Sequence, residues 1–377
     1  MQEERRMILR MLEEGKITAE EAEALLNALG DGAESSEDSE PQEDPWARLE
    51  KMGEDFASKV EIAVERFSRS LEHTVGEKLT KLPKILVKFP FLGFEETQEF
   101  TQVVRGPVGL GEVIPVELSN ANGPIRLQGW SEDYYQLTVV QRLKGRDREL
   151  LRSRLFEVDW EDNATREEFK LAVPSYGDRS ISLHLMVPEG RTYQVILASQ
   201  NGSLRVENLK GTALELRTIN GSTELRSVKA QSLVGKIGNG SCEMDGVEAE
   251  SIRHTLGNGS YRLSVAAPAV DLTTTNGTVN VRVTNLQGRA DYRLRTTNGA
   301  IKVSLPSRVD LGVSLDLKTS VGRVAAELDS LEITKHERQG GGALLTAHSS
   351  DYQSFADQLH LEARCVSGSI TVSSGSN

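Results

Sequence analysis

The feature that most constrains the fold is a repeated Asn-Gly turn in the second half of the 377-residue chain. Its glycines stand at 202, 221, 240, 259, 277, 299, 322 and 368, so the gaps are 19, 19, 19, 18, 22, 23 and 46 residues, the last read as two of 23. A sustained period in this range marks an architecture built from stacked units. Aligning on the glycine sorts the chain into columns. Two residues after it come Leu204, Thr223, Cys242, Tyr261, Val279, Ile301, Val324 and Ile370; four after it come Val206, Leu225, Met244, Leu263, Val281, Val303, Ala326 and Val372. Seven before it come Val195, Leu214, Leu233, Ile252, Val270, Tyr292, Leu315 and Leu361. Polar residues separate these apolar positions, which is the period-two pattern of a half-buried strand. Each repeat therefore contributes two strands facing one interior.

Asparagine precedes the glycine in six consecutive repeats, at Asn201, Asn220, Asn239, Asn258, Asn276 and Asn298. A hairpin turn has no need of the same residue in every copy. Stacked coils gain from it, because aligned amides hydrogen-bond along a ladder and asparagine tolerates left-handed dihedrals. Outward positions agree: stacking in register sets Arg205 beside Glu224, Glu207 beside Arg226, and Glu243 beside Arg262. The reading is a mainly β chain, favouring a single-stranded parallel β-helix or solenoid of about 19-residue coils over residues 95–377, with an antiparallel meander as the alternative.

Three segments precede it. Residues 1–30 read as an α-hairpin, with Gly15 ending the first helix and Thr18 and Glu21 forming a capping box for the second. The stretch "LEEGKITAEEAEALLNAL" resembles the short SHOCT-like helical hairpin module. Residues 31–45 carry seven acidic residues, no basic ones and two prolines, the composition of a solvated, disordered linker. From Trp46 to Leu82 an apolar residue recurs every 3.6 positions, taking in Phe56 and Phe67 and predicting a long amphipathic helix. A basic-then-aromatic run follows: Lys81, Lys84 and Lys88 lead into Phe89, Phe91 and Phe94. These residues, with Trp46, Phe56 and Phe67, are candidates for contact with a partner or with anionic lipid, and the 46–94 segment reads as helix plus connector.

"ANGPIRLQGWSEDYYQLTVV" at 121–140, with Asn122, Gly123, Gly129 and Trp130, followed by serial "NGSLRVENLKG" turns, resembles a bacterial β-strand-repeat family of unknown function that carries the label adhesin. Together with the N-terminal hairpin it resembles the YvlB/LiaX-like group. The resemblance implies a role in Gram-positive envelope-stress physiology and brings no catalytic residues with it.

Bulk properties narrow the function classes. A formal net charge of −12 argues against nucleic acid, which needs clustered Lys and Arg. Two cysteines, Cys242 and Cys365, make neither a disulfide framework nor a four-thiolate metal site. Neither a secretory leader nor an 18-residue apolar span is visible, so the expected location is the cytoplasm or the inner face of the membrane. No histidine has metal-ligand spacing; His254 falls in an inward column, as do both cysteines. "VGKIGNGS" at 234–241 lacks the order of a phosphate loop, and "QGGGALL" at 339–345 reads as a loop between His336 and His348. Nucleophile elbow, paired carboxylates and cofactor fingerprint are all missing from the sequence. The expectation is a non-enzymatic scaffold or sensor working through protein partners and self-association, without cofactor or metal; a peripheral membrane module using residues 78–94 is the alternative. Because "SGSITVSSGSN" ends without an amphipathic cap, an open strand edge is expected there.

Overall fold

Alternating apolar and polar residues make strands of nearly every segment in the computed structural model, which describes residues 97–308, 310–329, 331–339 and 341–375. The amino-terminal part holds β1 (Thr97–Pro107), β2 (Val113–Asn122), β3 (Ile125–Trp130), β4 (Tyr134–Lys144), the short helix α1 (Arg148–Arg152), β5 (Phe169–Val173) and β6 (Arg179–Pro188). The centre holds β7 (Thr192–Asn201), β8 (Leu204–Asn220), β9 (Thr223–Asn239), β10 (Cys242–Asn258), β11 (Tyr261–Ala266), β12 (Ala269–Asn276), β13 (Val279–Val283), β14 (Arg289–Asn298) and β15 (Ile301–Pro306). Then come β16 (Leu311–Val321), β17 (Val324–Glu327), β18 (Leu331–Gln339), β19 (Gly342–Ser349), a 3-10 turn at Tyr352–Ser354, β20 (Asp357–Ser367) and β21 (Ile370–Gly375).

Parallel pairing between successive coils organises these strands. β8 pairs with β9 from Leu204↔Thr223 to Asn220↔Asn239, and β9 with β10 from Thr223↔Cys242 to Asn239↔Asn258. A shift of one coil is thus 19 residues, in register. Each long strand bends once, and the bend falls at Asn208, Ser227 and Gly246, all with φ between 51° and 61°. That left-handed residue, one per coil, turns the chain from one layer to the other. Buried Leu209, Val228 and Val247 follow it and seal the corner. The three apolar columns predicted from the repeat point into the space between the layers and are buried, Ala326 excepted, which is half-buried. The pairings run from β1 at one end to β18 at the other, so the sheet stays open and does not close into a barrel. The fold is mainly β and solenoid-like.

Both ends depart from sequential stacking. The last coil of the chain, β20 with β21, lies between the β14/β15 coil and the β16/β17 coil. At the other end β5 and β6 stack outside β2 and β3, which stack directly on β7 and β8. Arg308 clasps the inserted coil: its guanidinium pairs with Asp310 and Asp357, and Asp357 also accepts the Gly288 N–H at 2.7 Å. Two expectations are corrected here. The final strand β21 is not an open edge, because β15 and β17 flank it. The 46-residue interval before Gly368 is not two coils of 23, and the 339–345 stretch is not a loop. The interval holds β17, the antiparallel hairpin β18–β19 and the whole of β20, and Gly341 stands at the hairpin tip.

Antiparallel strands cap each end. β4 pairs with β6 and β1 with β4, extending one layer. Beneath them runs the 153–168 segment. The Gln141 side chain bonds both the N–H and the carbonyl of Phe156, at 2.9 and 2.6 Å, and Gln102 does the same for Val158 at 3.3 Å. Trp160 stacks edge-on to Tyr135 and is tilted against Phe169. At the far end β19 pairs with β16 and β18 with β19.

Candidate functional site

The six repeat asparagines come together in a single column, joined by Asn122. Each Nδ2 donates to the Oδ1 of the neighbouring coil: Asn201 to Asn122, Asn220 to Asn201 and Asn239 to Asn220 at 3.0 Å, Asn258 to Asn239 at 2.8 Å, Asn276 to Asn258 at 2.7 Å, and Asn298 to Asn276 at 3.0 Å. Asn122 donates on to Ser175 Oγ. At the other end the register sets Ser367 beside Asn298, and the amide chain stops. None of these asparagines has positive φ, so left-handed tolerance is not what selects them. They close strands, and the ladder itself accounts for the residue.

Glycine follows because the coils approach too closely for any side chain. A Cβ on Gly221 would lie 2.0 Å from the Gly202 carbonyl oxygen, and one on Gly259 1.5 Å from that of Gly240. The glycine carbonyls find a second column of donors three residues earlier: Thr218 Oγ1 reaches Gly202 O at 3.1 Å, Thr296 reaches Gly277 O at 3.2 Å, and Cys365 Sγ reaches Gly299 O at 3.3 Å. Cys365 thus serves as a weak donor as well as an apolar filler. Burial pushes its thiol up, and pushes that of Cys242 up to about 12, leaving both protonated.

One coil departs from the apolar interior. His254, 1% exposed, stands in a column shared with Leu197, Leu216, Leu272 and Leu294, with Gly235 next to it in the preceding coil. A Cβ on Gly235 would sit 2.0 Å from His254 Cδ2, so this glycine clears space for the imidazole. His254 Nδ1 lies 3.1 Å from Tyr261 Oη, which donates to Thr273 O at 3.1 Å. The phenol's proton being committed to Thr273, the imidazole carries its own proton on Nδ1 and leaves only the Nε2 lone pair unpartnered. An orphan acceptor costs less than an orphan N–H. Burial holds the ring neutral and lowers its pKa to about 3. This is a structural histidine with no open route to a ligand.

Outward charges pair across coils. Arg205 bonds Glu224, which Arg226 also reaches; Glu207 pairs with Arg126 rather than with its register neighbour Arg226; Arg262 and Glu243 stand 3.8 Å apart. Such half-exposed pairs are worth about 0–1 kcal/mol each and define register more than stability. Among the described residues, no group of His, Cys, Asp and Glu is arranged to hold a metal, and no helix is long and apolar enough to cross a membrane. His336 is exposed on β18, and His348 lies on β19 at 3.1 Å from Ser349 O. The predicted partner or lipid contacts Trp46, Phe56, Phe67, Lys81, Lys84, Lys88, Phe89, Phe91 and Phe94 lie outside the described residues, as do the predicted α-hairpin and long helix.

Comparison with known proteins gives the family. A family model described as Toastrack DUF4097 matches residues 116–373, and a SHOCT-like domain matches residues 3–34. The uncharacterized protein YvlB of Bacillus subtilis (strain 168) is 31% identical over 345 residues, covering 89% of this chain and 90% of its own length. A solved structure described as a "putative cell adhesion protein" from Clostridium sporogenes ATCC 15579 aligns with 74% of this chain and all of its own, at 14% identity and a TM-score of 0.22.

Proposed function

Because this chain belongs to the Toastrack DUF4097 family, we propose that it is a non-enzymatic scaffold of the bacterial envelope-stress response, built on a parallel β-solenoid and acting through protein partners and self-association. One observation carries the reading. The space between the layers is filled by side chains from successive coils, with Tyr193, Tyr261 and Tyr292 among the largest buried residues. Chemistry is thereby displaced to the outer faces, where the in-register coils present rows of side chains about 4.8 Å apart. The helical module and connector before residue 95 would bring partners to that platform. In-cell cross-linking from exposed Lys236 or Lys318, with and without cell-wall damage, tests it. Defined protein adducts that change on damage are expected; an identical adduct pattern in both conditions removes the stress-response role.

A second reading is favoured by the sequence Lys81, Lys84, Lys88 followed by Phe89, Phe91 and Phe94, which has the form of an interfacial anchor on anionic lipid at the inner membrane face. Co-sedimentation of the full chain with phosphatidylserine vesicles, and its loss in K81E/K84E/K88E, is the expected result. Equal sedimentation of both proteins eliminates the lipid contact.

A further inference from the structure

The carboxyl-terminal end of the stack is stepped. β16 and β17 form its last complete coil, but one layer continues beyond β16 through β19 and β18 while the other stops at β17. Among the described residues, β17 pairs only with β21, so its outer edge is open. Pairing of Ala347 with Ile333 and of Leu345 with His336 turns Ile333 and His336 to the inner side of β18. Leu328 and Leu331 pack on the end of the core, yet Ile333 remains 60% exposed. The amino-terminal end has the converse step, with β4 and β1 overhanging on the layer that ends in β17, and there the chain fills the gap itself. Phe156, Val158 and Trp160 run beneath the overhang, and inward-facing Phe100 and Val104 of β1 are 7% and 4% exposed.

We propose that two copies of this chain join at their carboxyl-terminal ends about a two-fold axis, each laying its β18–β19 ribbon into the other's notch. The inference rests on the self-association reading above and names its surface. An axis parallel to the strands and midway between the layers exchanges one layer for the other. The two-strand overhang of one copy then fills the two-strand gap of its partner. β18 meets the open edge of the partner's β17, the two Ile333 side chains meet across the shared midplane, and Glu327 comes beside the Lys335–His336 stretch of the other copy. Apart from the Ile333 pair on the axis, every contact is made twice, as a closed two-fold interface requires, and both open β17 edges are covered. Head-to-tail joining is disfavoured because Phe156, Val158 and Trp160 already occupy the complementary gap at the amino-terminal end of the described residues.

Light scattering on the full chain across micromolar concentrations tests the proposal with two variants. Wild type is expected to shift from one chain to two. I333D, whose side chain projects largely into solvent in the single copy, is expected to bind its twin at least about tenfold more weakly, because a carboxylate would be buried without a partner. I333C is expected to form an intermolecular disulfide under mild oxidation, and V103C on exposed β1 is not. Cys242 and Cys365 are buried and do not compete. Dimerisation of I333D as tight as wild type, with no I333C disulfide, overturns this interface while leaving self-association standing. A wild-type chain that stays single throughout overturns both.

Discussion

Replacing His254 by leucine should flatten part of the protein's acid sensitivity. The imidazole is neutral in the folded state, where burial lowers its pKa to about 3 from the ordinary histidine value of 6.5. A base whose folded pKa lies below its unfolded pKa contributes fully above the unfolded value, and that contribution is lost as pH falls from 6.5 towards 3. Near neutrality His254 is therefore neutral in both states and costs nothing. At pH 4.5 the unfolded histidine is almost fully protonated and the folded one hardly at all, which costs the native state about 3 kcal/mol, rising to about 4 kcal/mol at pH 3. Leucine matches the neighbouring Leu216 and Leu272 of the same column and carries no proton. Urea denaturation of wild type and H254L, followed by far-UV circular dichroism at pH 7.5 and pH 4.5, reads the effect. Carboxylate titrations are common to both proteins and cancel in the comparison. The variant should gain about 3 kcal/mol on wild type between the two pH values. Unfolding free energies that fall in parallel would show that His254 takes up its proton in the folded state, and the burial argument would be wrong.

Other expectations concern the stack. Gly259→Ala forces a Cβ to 1.5 Å from the Gly240 carbonyl and should cost about 3 kcal/mol or more, whereas Gly190→Ala, with nothing within 4 Å, should change the urea midpoint little. Asn239→Ala removes one donated and one accepted amide bond in mid-ladder and should cost about 1–2 kcal/mol, measured by the same denaturation. Gly235→Ala collides with the His254 ring, so it should destabilise wild type but be nearly neutral in a His254→Ala background; equal effects in both backgrounds would deny the coupling.

Much of the middle of the fold was legible because its code is local and repeated. A side chain buried in one coil lies above its counterpart 19 residues away, so the inward columns and the Arg205–Glu224 neighbours could be read by alignment. The asparagines were legible as a column and as an amide ladder; the left-handed tolerance offered beside the ladder is not a reason for them, since none has positive φ. The corner at Asn208, Ser227 and Gly246 was missed, although the faint signal of small or polar residues followed by Leu209, Val228 and Val247 was present. Nothing in the run around Gly235 announced that it makes room for a histidine one coil away, since that need arises only when the coils stack.

By itself the sequence determined the coil: its length, its two inward faces and the turn that joins them. Tertiary structure alone decided the order of the coils at the ends. A coil meets its neighbour through backbone bonds and matching columns, and β21 accepts β15 on one edge and β17 on the other with the same apolar positions. A code shared by every coil cannot state which coil comes next. The clasp of Arg308 on Asp357, the hairpin standing where another coil would lie and the segment filling the amino-terminal step make that choice, through contacts between residues far apart in the chain.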